Sequence, residues 1–155
     1  EFIAREKARG TNFATIVGGE PSLILPRVKK IYDNFWMNVA TNGLRKIPFE
    51  GFENMPIGIA VWGDHQTDKM LRGGGKKAIF ATALKNYRDD PRAFWYYTVA
   101  PGHAHEIERV VSQCVENGNR VLFNFYCALA QRCCDLGARF RFGEVQREND
   151  RMIAR

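Results

Sequence analysis

The sequence predicts an α/β protein built as a partial β/α barrel of the TIM type, with about five parallel strand–helix units. Short runs rich in β-branched and aromatic residues alternate with longer amphipathic segments, the pattern of right-handed crossovers and a parallel sheet. The short runs are mostly continuous rather than alternating in polarity, as strands covered on both faces are. Glycines and polar residues collect after the strands, where such folds bind ligands. A doubly wound sheet satisfies the same observations. A whole barrel needs about 200 residues or more, and this chain has 155, so the barrel is a partial one.

The elements follow in order. "FIAREKAR" fits a helix ending at Gly10. "NFATIV" (12–17) is the first strand, closed by Pro21, which cannot donate to a ladder. The next helix has Pro26 in its first turn and turns Val28, Ile31, Tyr32 and Phe35 inward. "WMNVAT" (36–41) is the second strand. The loop "RKIPFEGFENMP" (45–56) lacks periodicity and leaves room for a short or irregular helix. "IGIAVW" (57–62) is the third strand, and "KKAIFATALKNY" is a helix with Ile79, Phe80, Ala83, Leu84 and Tyr87 on one stripe. "AFWYYTV" (93–99) is the fourth strand. In "HAHEIERVVSQCVENG", Ile107, Val110, Val111, Cys114 and Val115 fall at i, i+3, i+4, i+7 and i+8, and Gly118 stops the helix. "RVLFNFY" (120–126) is the fifth strand, followed by a helical continuation over 127–155.

Composition supports one domain over 1–155: 45% of residues are hydrophobic, enough for one sizeable core. No apolar run approaches the roughly 18 residues of a membrane span, and no signal sequence opens the chain, so a cytoplasmic protein is expected. Cys114, Cys127, Cys133 and Cys134 make a poor disulfide framework and read as thiols. The net charge is +6, but the 23 Lys and Arg are spread along the chain rather than blocked. A solvated surface is expected, not a nucleic-acid partner. The chain opens on Glu1 rather than methionine, and "EVQRENDRMIAR" reads as a helix with no cap, so an internal piece of a longer protein is expected.

In "GGEP", Gly18 and Gly19 bare the backbone, and Glu20 sets an acceptor beside it, suited to an ammonium group. A tight turn with a surface glutamate is the alternative. His103, His105 and Glu106 have a zinc-like HxH spacing, but no third ligand is visible, so capping and surface roles are expected of them and of His65. Cys133 and Cys134 read as helix-packing thiols. Asn124 and Tyr126 share one strand face, as do Tyr96 and Thr98. Each pair either lines a barrel lumen, where it would meet a ligand, or makes a structural hydrogen bond. Phe94, Trp95, Tyr97, Phe123 and Phe125 are expected in the core.

The series "TIVGGEPSLILP", "NVATNGL" and "GIAVWGDHQTDKMLRGGGKKAIFATAL" resembles the radical S-adenosylmethionine enzymes, whose strands end in GGEP, in TNG, and in a segment followed by HDxxRG. The resemblance covers about residues 1 to 126. It implies strands two to six of a six-strand barrel core, S-adenosylmethionine and a [4Fe–4S] cluster as cofactors, and a flavodoxin or ferredoxin as electron donor. The substrate, a small molecule or peptide, is not implied. Gly18, Gly19 and Glu20 map onto the clamp for the cofactor's amino group, and Thr41, Asn42 and Gly43 lie near the same cofactor. Arg72 matches the motif's arginine, able to pair with a carboxylate, and Asp68 the acid before it. Thr98 and Asn124 are further cofactor candidates. The family's Ser and Asp at the third strand here are Ala60 and Trp62.

The family's CxxxCxxC loop, which binds the cluster, is absent from this chain and is expected before Glu1, so the chain alone should be inactive. A cluster-free degenerate barrel acting as a binding or scaffold module remains the alternative. A doubly wound nucleotide-binding domain is a third possibility, argued against by the lack of a GxGxxG after any strand.

Overall fold

The computed structural model describes residues 1–125. The expected continuation over 127–155, with Cys127, Cys133 and Cys134, and Tyr126 beside Asn124, lies outside the described residues. Five strands form one all-parallel sheet: β1 (Phe13–Ile16), β2 (Trp36–Thr41), β3 (Ile57–Val61), β4 (Ala93–Val99) and β5 (Arg120–Phe125). Their spatial order is the chain order, β1-β2-β3-β4-β5. A doubly wound sheet reverses direction at a switch point. This one never does, so with crossovers of one hand all the helices pass over the same face and the sheet is a barrel segment.

The helices are α1 (Phe2–Ala8), α2 (Leu25–Tyr32), α3 (His65–Leu71), α4 (Ile79–Asn86) and α5 (Ile107–Glu116), with short 3-10 turns at Pro21–Leu23 and Ala104–Glu106. α3 departs from expectation, since only a glycine-rich connection stood between β3 and α4. Asp64 starts it, its carboxylate accepting from the backbone N–H groups of Gln66 and Thr67.

The helix-side face of the sheet is the core. Met37, Val39, Ile57, Ile59, Val61, Trp95, Tyr97 and Val99 pack against Val28, Phe80, Ala83, Tyr87, Val110 and Cys114. α2 buries Val28 and packs Ile31 and Tyr32 part-buried against the core, with Phe35 buried beyond its end, and α4 buries Ile79, Phe80 and Ala83 with Leu84 part-buried. α5 leaves one residue of its stripe out: Val115 is 59% exposed, one residue from the helix end. Two expected core aromatics also lie elsewhere. Phe94 points to the opposite face, where it meets Tyr96 edge-on with centroids 4.9 Å apart, and Phe123 is 49% exposed on β5.

The loop 45–56 holds no helix. It is pinned from below by side chains. Arg92 donates to the carbonyls of Ile47, Pro48 and Phe52 and forms a fork with the Asp90 carboxylate at 2.7 and 2.9 Å. The Tyr87 hydroxyl accepts from Ile47 N–H and donates to the Arg45 carbonyl. These contacts hold Ile47, Phe52 and Met55 in the core.

Candidate functional site

The first two motifs meet at the carboxyl ends of β1 and β2. Gly18 and Gly19 turn the chain with φ of 84° and 57°, dihedrals that cost a residue with a Cβ. A Cβ at either would touch nothing within 4 Å. The glycines are therefore needed for the turn, and the space beside them is open. They deliver Glu20 to the start of the 3-10 turn, where its Oε1 accepts from Ser22 N–H at 3.0 Å.

Glu20 also reaches the second motif. Thr41 Oγ1 donates to Glu20 Oε1 at 2.6 Å, and Asn42 N–H donates to Oε2 at 3.0 Å. Gly43 N–H donates back to Thr41 Oγ1, and the Asn42 side chain closes its own turn by accepting from Leu44 N–H. Gly43 has no room for a side chain: a Cβ there would lie 2.5 Å from that of Ala83 on α4. Thr41 and Asn42 thus orient Glu20. Partial burial opposes ionisation of this carboxyl, but donors from Ser22, Thr41 and Asn42 outweigh it and hold the pKa below its ordinary value of 4.5. A carboxylate offers about four acceptor positions. Two on Oε1 and one on Oε2 are filled, which leaves one on Oε2 for an incoming donor.

Arg72 is anchored beneath β3. Its Nη1 donates to the Ala60 carbonyl at 2.5 Å and to Asp68 Oδ1 at 3.1 Å, and Asp68 Oδ1 also accepts from Trp62 N–H. Asp68 is fully buried, so the pair fixes the end of β3. Nε and Nη2 of Arg72 find no partner among the described residues.

The sheet face away from the helices is the inside of the barrel segment. By strand register it carries Thr15, Asn38, Ala40, Gly58, Ala60, Tyr96, Thr98 and Asn124. A cavity of about 430 Å³ opens on it. Thr98 and Asn124 sit side by side there, with Asn124 Nδ2 donating to Thr98 Oγ1 at 3.2 Å. Gly58 is bare for a steric reason: a Cβ would lie 2.4 Å from the Tyr96 ring. Sequence reasoning missed Asn38. Its Oδ1 is buried with no hydrogen-bond partner among the described residues, a state that costs about 1–3 kcal/mol. A lone asparagine at an inward strand position was the signal available.

A second cleft of about 430 Å³ lies between the β3–α3 and β4–α5 connections. Here Glu106, 4% exposed, accepts from Thr67 Oγ1 at 2.6 Å and Asp64 N–H at 2.8 Å and pairs with His103 Nδ1 at 2.9 Å. His103 stands at the start of the 3-10 turn but makes no side-chain cap bond. His105 is exposed, and the His65 ring meets Phe80 in a tilted contact with centroids 4.8 Å apart. Among the described residues no three His, Cys, Asp or Glu come together as a metal site. A further cavity, about 540 Å³, lies at the amino ends of β1 and β2, the face on which barrel folds place stability rather than chemistry.

Among solved structures, the fold matches that of TYW1 with a lysine-pyruvate adduct bound, with a TM-score of 0.56 and 18% identity. The match covers 91% of this chain and 49% of that one, so this chain spans about half its length. At this identity the likeness shows a common α/β barrel-type fold. No protein-family model matches the sequence, and no curated protein does. No helix among the described residues is long and apolar enough to cross a membrane.

Proposed function

We propose that the chain is the core of a radical S-adenosylmethionine enzyme, strands two to six of its barrel, in which Glu20 holds the amino group of S-adenosylmethionine. The observation that carries this is the Glu20 carboxylate: ionised, oriented by the TNG turn, and left with one open acceptor position beside an open glycine turn. A primary ammonium is a strong three-donor partner for such a group. The barrel segment shared with TYW1 is the architecture that the three motifs imply. Arg72 serves first as the anchor of β3, with Nε and Nη2 free to meet a carboxylate. Thr98 and Asn124 offer hydroxyl and amide groups to the adenosine side of the cofactor.

A cluster held by residues other than the described ones would supply the reducing electron for this chemistry, while Glu20 and its turn would hold and orient the amino group of S-adenosylmethionine. The described residues do not fit that cluster, since no three candidate ligands converge. On this reading its cysteines belong to a CxxxCxxC loop encoded before Glu1.

The second reading, a cluster-free binding module, is favoured by Ala60 and Trp62 standing where the family places Ser and Asp. The gene sequence upstream of Glu1 separates the two. A CxxxCxxC within about 50 residues, the reach of one strand–loop–helix unit, supports the enzyme; a verified gene without one sinks catalysis. Given the loop, anaerobic reconstitution of the full-length protein should yield 5′-deoxyadenosine from S-adenosylmethionine. Glu20→Gln should weaken cofactor binding about 10- to 150-fold, the loss of one hydrogen bond to a charged group.

A further inference from the structure

Asn38 lies on the inner face of β2, opposite Thr15 of β1 in the strand register. Its side chain makes no hydrogen bond among the described residues, and its Oδ1 is buried. Ala40 and Ala60 keep the adjoining space free, and the Tyr96 ring, seated over bare Gly58, lines the same cavity. No charged side chain lines that cavity among the described residues. A charged group entering it would shed its hydration and meet no counter-charge, whereas a neutral hydrogen-bonding group is compensated by the amide. A carboxamide presents a donor and an acceptor side by side, and it is best matched by another amide edge.

We propose that Asn38 is a substrate-reading residue that pairs with an uncharged amide or lactam edge, while the plane of the same ligand lies on Tyr96. This deepens the lumen assignment above and rests on it for calling the ligand a substrate; the binding itself requires neither cofactor nor cluster. The substrate class that follows is neutral and planar where it enters the lumen, so any phosphate or carboxylate it carries must stay outside.

Benzamide and benzoate test this, since they share a shape and differ in charge. With the 155-residue chain labelled for NMR, benzamide should saturably shift the Asn38 side-chain amide and Tyr96 signals. Benzoate should bind at least tenfold more weakly. Asn38→Leu should cost benzamide tenfold or more in affinity without lowering the melting temperature, because no protein hydrogen bond is lost. Equal or stronger binding of benzoate, no binding of benzamide, benzamide affinity unchanged in Asn38→Leu, or a clear drop in melting temperature in that variant would each overturn the proposal. The Glu20→Gln effect on S-adenosylmethionine is scored separately, so failure of one reading is not failure of the other.

Discussion

Glu20 is where a single residue decides most. Its folded pKa is depressed, so its contribution to stability is fully present above its ordinary value and is lost as pH falls through the lower folded value. Titrating ammonium-ligand binding downward in pH should show binding retained below the midpoint of a free glutamate. Thr41→Val removes the 2.6 Å donor and should move that midpoint upward, read by NMR titration of the Glu20 carboxyl carbon. The motif itself was legible in the sequence: two glycines and an acid at a strand end. That Thr41 and Asn42 serve Glu20 was not, because the bonds link positions 21 and 22 residues apart and depend on how the two strand ends align. Asn38 was missed for a related reason, since an orphaned amide is visible only once its neighbours are placed. Gly58→Ala would drive a methyl into the Tyr96 ring and should cost about 1–3 kcal/mol by overpacking, measurable by thermal denaturation.

At the level of elements, strands were easier to read than connections. β2 and β4 fall at their expected bounds because continuous β-branched and aromatic runs admit little else. α3 has seven residues and flanking glycines, too few for an apolar period, although the Asp64 cap was in plain view. The loop 45–56 has no period because its order comes from outside, from Tyr87 and Arg92. Asp90 and Arg92 are 4% and 3% exposed. Arg92→Ala strips the buried Asp90 carboxylate of its guanidinium and leaves the Ile47 and Pro48 carbonyls without the donor they have among the described residues, and should cost about 3–5 kcal/mol. Hydrogen exchange should then show loss of protection at the amides of Ile47 and Met55, whose positions the guanidinium fixes.

Over the whole molecule, the sequence left two topologies open, and strand order resolves them, because periodicity reports burial and not which strand lies beside which. The sheet divides its labour along the strands. Arg92 works at the amino end of β4, while Glu20 works at the carboxyl ends of β1 and β2. Arg92→Ala should therefore lower the melting temperature by about 6–20 °C without moving the pH midpoint of Glu20, and Glu20→Gln should leave loop protection intact. Between these ends, Tyr96 sits over the bare α-carbon of Gly58. An aromatic ring current displaces the resonance of a proton held so close, so the Gly58 α-protons should carry an anomalous chemical shift in the free chain. Any molecule that enters the lumen and tilts the ring will change it, which makes this glycine a built-in spectroscopic gauge of occupancy that needs no attached label.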